Sequence, residues 1–174
     1  MKIFIDAGYY VGKALDYYAP LMDDSWTVYV FEPNEELDVE ESIKRFPFKV
    51  NWIKKAVWLH DGIVGFRLGG RNDASHIDTI RESTDRKVTV PCIDFSKFVA
   101  NLPADATIVC SFDAEGAEFP IFRKMIKDGT AKRISVLDIE FHHRLLTTED
   151  EASASLLRRE LEGEGVLVKL KLEI

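Results

Sequence analysis

Residues 106–129 read ATIVCSFDAEGAEFPIFRKMIKDG. A continuous apolar stretch over 107–112 ends on Asp113, a turn containing Gly116 follows, and a helix runs on until Gly129 stops it. A strand without a polar face belongs in a sheet covered on both sides. Strand, turn and helix together form the repeating unit of an α/β fold built on a mainly parallel sheet.

The rest of the chain repeats this alternation. MKIFIDAGYYVG (1–12) predicts a strand at 2–6 that closes on Asp6 and enters a loop bounded by Gly8 and Gly12. Residues 13–21 read as a short helix ending near Pro20, and WTVYVFEPN (26–34) as a strand turned by Pro33. In DVEESIKRF (38–46), Val39, Ile43 and Phe46 lie near helical spacing, and VNWIKKAVW (50–58) reads as a third strand. Asp61-Gly62 lies between apolar runs, which predicts a hairpin excursion after that third strand. GGRNDASH (69–76) reads as a mobile loop, and KVTVPCIDFSKFVANL (87–102) as a strand and short helix capped by Asp94. RISVLDIEF (133–141) adds a strand. Thr148 and Glu151 stand at capping-box spacing before a helix to about Glu162, and VLVKLKLEI (166–174) closes the chain. The whole, 1–174, reads as a single domain.

Composition narrows the function classes. The 174 residues are 46% hydrophobic and 30% charged, a globular balance, and the net charge of -7 gives no broad attraction to nucleic acid or anionic lipid. The first apolar run is broken by Asp6 too early for a signal segment, and no later run approaches membrane-spanning length. A cytoplasmic protein with no nucleic-acid or membrane partner is expected. Cys92 and Cys110 lie in apolar contexts and read as buried free thiols.

Ligands of open parallel sheets bind beyond the carboxyl ends of the strands, where the strand order reverses. Asp6, Glu32 and Asp113 each close a predicted strand, so one rim would gather three acids beside the Gly8–Gly12 loop. Glu32 stands 20 residues past Gly12, the offset at which a carboxylate reaches the ribose hydroxyls of a nucleoside cofactor. No G-x-G pair brings backbone amides together for a pyrophosphate. This disfavours a nicotinamide-dependent oxidoreductase and favours S-adenosylmethionine, which has no phosphate. Neither a nucleophile elbow nor a Walker loop is present. Glu140, His142 and His143 suggest a metal at first sight, but adjacent histidines on a strand point to opposite faces, so at most one faces the site and no metal is expected.

FIDAGYYVG (4–12), VYVFEPN (28–34), IKKAVW (53–58) and SFDAEGAEFPIF (111–122), in this order, resemble the FkbM-type methyltransferase family. The resemblance runs from Phe4 to about Phe141, and D-x-E-G-x-E at Asp113–Glu118 is its most telling segment. It implies a Rossmann-like three-layer sandwich with helices on both faces, and S-adenosylmethionine-dependent methylation of a hydroxyl on a sugar or small metabolite. By position it implies that Asp6, Ala7, Gly8, Tyr9, Tyr10 and Gly12 form the methionine-side loop. It further implies that Glu32 holds the ribose, with Pro33 and Asn34 shaping its turn, and that Ala56 and Val57 cover the adenine edge. Asp113 would face cofactor and acceptor, with Glu115 and His143 the next catalytic candidates; Glu118 reads as a helix-starting residue that favours the dipole. The acceptor, a small molecule or glycan, would be walled by residues 60–90 and 141–150. A non-catalytic S-adenosylmethionine-binding module is the alternative. Tyr9 and Tyr10 replace the Ala-Asn of the family's usual D-x-G-A-N-x-G, and a single strand-like segment after Leu161 stands where class I methyltransferases usually have two.

Overall fold

Strand β1 (Lys2–Ala7) is buried from Ile3 onward, and its side chains alternate between two cores. Ile3, Ile5 and Ala7 pack into one, Phe4 into the other. A strand covered on both faces belongs at the centre of a sheet. In the computed structural model, which describes residues 1–69, 75–80 and 84–170, β1 does lie centrally.

The large sheet has six strands in the order β10-β9-β8-β1-β2-β3, all parallel. They are β2 (Trp26–Phe31), β3 (Val50–Ile53), β8 (Thr107–Phe112), β9 (Ile134–Ile139) and β10 (Leu167–Leu170) around β1. The chain builds outward from β1 to β2 and β3 on one side, then to β8, β9 and β10 on the other, so the order reverses between β1 and β8. Helix α1 (Lys13–Tyr18), which runs into a 3-10 turn, and α2 (Val39–Ser42) contribute Leu15, Tyr18 and Val39 to the core that holds Phe4. Helices α3 (Phe95–Ala100), α4 (Glu118–Lys127) and α5 (Glu151–Gly163) cover the other face with Phe95, Phe122 and Leu157. The three-layer, Rossmann-like arrangement is thus the observed fold.

The decisive segment behaves as its sequence reads. Helix α4 buries Phe119, Ile121, Phe122 and Met125. It stops at Gly129 (φ 69°), where the N–H groups of Gly129 and Thr130 donate to the Ile126 and Met125 carbonyls at 3.0 and 2.8 Å. That is the paired closure a left-handed glycine permits. Asp94 caps α3 by accepting from the Lys97 N–H at 3.0 Å, also as read.

Other elements differ. The third strand is broken at Lys54-Lys55, where the Lys55 N–H donates to the Ile53 carbonyl at 2.8 Å in a tight turn. Residues before it stay in the large sheet, while β4 (Ala56–Trp58) leaves for a second one. That sheet, β4-β7-β5-β6, contains β5 (Gly62–Leu68), β6 (His76–Ile77) and β7 (Arg86–Asp94). Asp61-Gly62 reverses the chain without making a hairpin, because β7 lies between β4 and β5: Cys92 has Ala56 on one side and Gly62 on the other. The antiparallel excursion is real, but its pairing is β5 with β7 and β6.

Helix α5 is capped by Asp150, which accepts from the Ser153 N–H at 2.8 Å, in place of the Thr148–Glu151 box. Aspartate caps as well as threonine does, and this one directly precedes the helix. Most of the stretch read as a mobile loop, 70–74, lies outside the described residues, as does the end of the last segment, 171–174. Cys92 and Cys110 are buried free thiols. Among the described residues no helix is long and apolar enough to cross a membrane.

Candidate functional site

The reversal between β1 and β8 opens a cleft at the carboxyl ends of the strands. Register makes those ends level, since Ala7 lies opposite both Phe31 and Phe112. Glu32 and Asp113 therefore each stand one residue beyond the end of a strand, and Glu140, after Ile139 opposite Phe112, continues the row. Asp6 does not join this rim. It lies one residue inside β1, 1% exposed, because β1 extends through Ala7.

The glycine at position 8 is required by the neighbouring loop. Its φ is 87°, and a Cβ there would lie 1.7 Å from the Asp113 carbonyl oxygen. The Asp113 N–H donates to the Ala7 carbonyl at 2.9 Å, so the two loops are clamped backbone to backbone. The N–H groups of Gly8 and Tyr9 both donate to the Phe31 carbonyl, tying in the third strand end at 3.2 and 3.1 Å.

Glu32 organises the same junction. Its Oε2 accepts from the Tyr10 N–H at 2.9 Å and its Oε1 from the Asn34 N–H at 2.8 Å. Burial pushes this carboxyl up from its ordinary value, and the two backbone donors oppose that shift. A carboxylate has about four acceptor positions, so two remain for a ligand in the cleft that Glu32 lines.

The two tyrosines have different jobs. Tyr9 is 2% exposed, packed with Phe4 and Leu15, and its hydroxyl lies 2.9 Å from Ser42 Oγ. Tyr10 is half-buried, lines the cleft, and has a φ of 48°. A left-handed non-glycine residue costs about 1–2 kcal/mol, less for asparagine, whose short amide bonds locally. Tyr10→Asn is therefore expected to melt about 2–4 °C above Tyr10→Ala, a difference of about 1 kcal/mol between two variants that both lack the ring. Equal melting temperatures by circular dichroism would show that this backbone position carries no such cost.

The cleft encloses about 1020 Å³ including its open mouth. Of the residues expected to hold a cofactor, Gly8, Tyr9 and Tyr10 line it from the first loop, and Glu32 and Pro33 from the second. Ala56, Val57 and Asp113 line it as well. Asp6, Ala7, Gly12 and Asn34 are not part of this lining; Gly12 is the N-cap of α1, and Asn34 gives its N–H to Glu32. The far wall includes Phe66 and Ile77 of the small sheet, and Lys13 and Lys55 add cations. The sequence points to a wall from residues 60–90 without singling out Phe66, because the β5–β7 pairing that aims it leaves no local signal. Lys55 could have been found from the IKKAVW segment itself.

Beside Asp113 lies a cluster in which His142, not His143, takes part. The chain leaves β9 at Ile139, so the strand alternation expected to separate the two histidines does not reach them; His143 opens a 3-10 turn, His143–Leu145. His142 Nδ1 lies 3.1 Å from Oε1 of Glu118, which is fully buried. Its Nε2 lies 3.5, 3.6 and 3.7 Å from carboxylate oxygens of Glu140, Asp113 and Glu115. Burial alone would lower this imidazole, but the Glu118 hydrogen bond and the charges of Glu118, Glu115 and Asp113 outweigh it, raising its pKa to about 9. Glu115 is itself left-handed, φ 51°, and like Asp113 lines the cleft. Glu118 does begin α4 as read, and also accepts from the N–H groups of Ala114 and Gly116 at 3.0 and 2.9 Å.

The arrangement offers a buried, backbone-oriented carboxylate and a histidine-centred acidic cluster, both bordering one open cleft through Glu32, Asp113 and Glu115. Compared with known families, the chain matches a family model described as the methyltransferase FkbM domain over residues 6–165. No curated protein and no solved structure matches it.

Proposed function

The chain belongs to the FkbM methyltransferase family, and from that premise we propose that it moves a methyl group from S-adenosylmethionine to a hydroxyl of a sugar or other small metabolite. The observation that carries the cofactor assignment is Glu32. A carboxylate 6% exposed, fixed by two backbone donors and with acceptor capacity left on the cleft side, suits a pair of vicinal hydroxyls such as those of a ribose. Ala56 and Val57 would cover the adenine edge, and the Gly8–Gly12 loop would hold the methionine end. A first loop without a G-x-G nest is what a phosphate-free nucleoside needs.

When bound, S-adenosylmethionine supplies an electrophilic methyl on a sulfonium. The chain's own part is to align an acceptor oxygen in the cleft, exclude water and receive the hydroxyl proton. A carboxylate against the sulfonium would favour the charged ground state over the charge-dispersed transition state, so Asp113 and Glu115 belong on the acceptor side. There they orient the hydroxyl and draw off its proton.

Calorimetry tests the cofactor assignment. S-adenosylhomocysteine is expected to bind and NADH not to, and Glu32→Ala to weaken S-adenosylhomocysteine at least tenfold, since each charge-assisted bond is worth roughly 1.5–3 kcal/mol. Unchanged affinity in the variant would refute the placement.

A further inference from the structure

We infer that Asp113, Glu115 and His142 form a binding site for one divalent first-row cation at the part of the cleft that Asp113 and Glu115 line. One donor atom from each of the three lies within 4.8 Å of the others. The spacing is that of ligands around a centre. Hydrogen-bonded ion pairs close to about 2.7–2.9 Å, yet three carboxylates surround Nε2 at 3.5 to 3.7 Å. Donors at neighbouring positions on an ion about 2.1 Å away are about 3 Å apart, and opposite donors about 4 Å. The Nε2–carboxylate separations fall within that range, and the 4.8 Å within which all three donors lie is little beyond it.

The histidine is oriented as a ligating histidine would be. Its Nδ1 is turned to the fully buried Glu118, which is in turn held by the N–H groups of Ala114 and Gly116. This carboxylate fixes the ring and directs Nε2 at the other donors, the outer support that metal-bound imidazoles usually have. Glu140, 3.5 Å from Nε2, stands near enough to add a fourth donor. One nitrogen with carboxylate oxygens suits Mn²⁺, Fe²⁺ or Zn²⁺ better than Ca²⁺. Asp113 and Glu115 also line the cleft, so the remaining positions on the ion open towards it. On the methyl-transfer reading, on which only this last step rests, an acceptor oxygen takes one of those positions and its hydroxyl becomes easier to deprotonate.

The test is a titration of the chelator-treated protein with Mn²⁺, followed by loss of the free-ion electron paramagnetic resonance signal. Saturation at one Mn²⁺ per chain is expected, with Glu115→Gln and His142→Gln each weakening binding at least tenfold. Should His142→Gln fail to fold, Glu115→Gln decides alone. Absence of Mn²⁺ and Zn²⁺ binding at millimolar concentration, or binding indifferent to Glu115→Gln, overturns the site. S-adenosylhomocysteine calorimetry in EDTA separates the two readings: binding there without any Mn²⁺ site sinks this inference alone, and a Mn²⁺ site without S-adenosylhomocysteine binding sinks the cofactor assignment alone.

Discussion

Glu118→Ala is expected to lower the unfolding free energy by about 4 kcal/mol. The side chain is fully buried and accepts from two backbone N–H groups while facing the Nδ1 of His142. Alanine leaves both N–H groups unanswered, each at about 1–3 kcal/mol, and removes the hydrogen-bonded counter-charge of an imidazole that keeps Asp113, Glu115 and Glu140 around it, a smaller loss of about 1–2 kcal/mol. These losses overlap, since the loop that carries the N–H groups relaxes when its anchor goes, so their sum is an upper bound. A carboxylate acting only on the helix dipole is worth about 0.3–1 kcal/mol, so the size of the effect discriminates between the two roles. Glu118→Gln keeps one acceptor and is expected to lose about half as much. Urea unfolding followed by circular dichroism measures both; a loss below 1 kcal/mol for Glu118→Ala would reduce this residue to a helix-starting charge.

Asp113→Asn is expected to lower turnover by roughly a hundredfold while leaving S-adenosylhomocysteine affinity within about threefold. The backbone at this position is fixed by the Asp113 N–H on Ala7 and by the Gly8 contact, so the substitution removes charge without moving the chain. The side chain is 32% exposed and lines the cleft. Its charge serves the acceptor whether it meets the hydroxyl directly or through an ion, and asparagine supplies neither a proton acceptor nor a strong ligand. The assay is release of S-adenosylhomocysteine across a panel of sugar and polyol acceptors. Full turnover of Asp113→Asn on the best acceptor would remove this residue from the chemistry.

The parallel core was legible because each buried strand is an apolar run ended by a polar or glycine signal, as at Asp113 and Glu32. The same signals placed two acids at the rim. They failed at Asp6, since a strand-end reading good to a residue or so cannot tell a rim carboxylate from one a single step inside. His142 was not told from its neighbour, because the period-two argument allows at most one of the two to face the site without saying which, and it does not hold past Ile139, where the strand stops. Glu118 looked like a capping charge; its partners come from the preceding turn and from a loop 24 residues later, and only the fold brings them together. The small sheet was half legible, since a turn signal at Asp61-Gly62 marks a reversal and cannot say which strand fills the gap.

The central pairing of β1 with β8 sets a condition on how the molecule assembles. Lys2 meets Thr107, so this ladder closes the longest loop among the pairings of β1, and the entropy of closure is paid before any of its contacts form. The β5–β7 ladder, with Leu68 opposite Arg86, closes over a far shorter stretch. A chain emerging from the ribosome can therefore raise the far wall of the cleft early, while the Gly8–Gly12 loop waits for Phe112 and Asp113 to arrive. The full lining of the cleft, which includes Asp113, Ala114, Glu115 and Ala117, is therefore complete only once the sheet centre is closed.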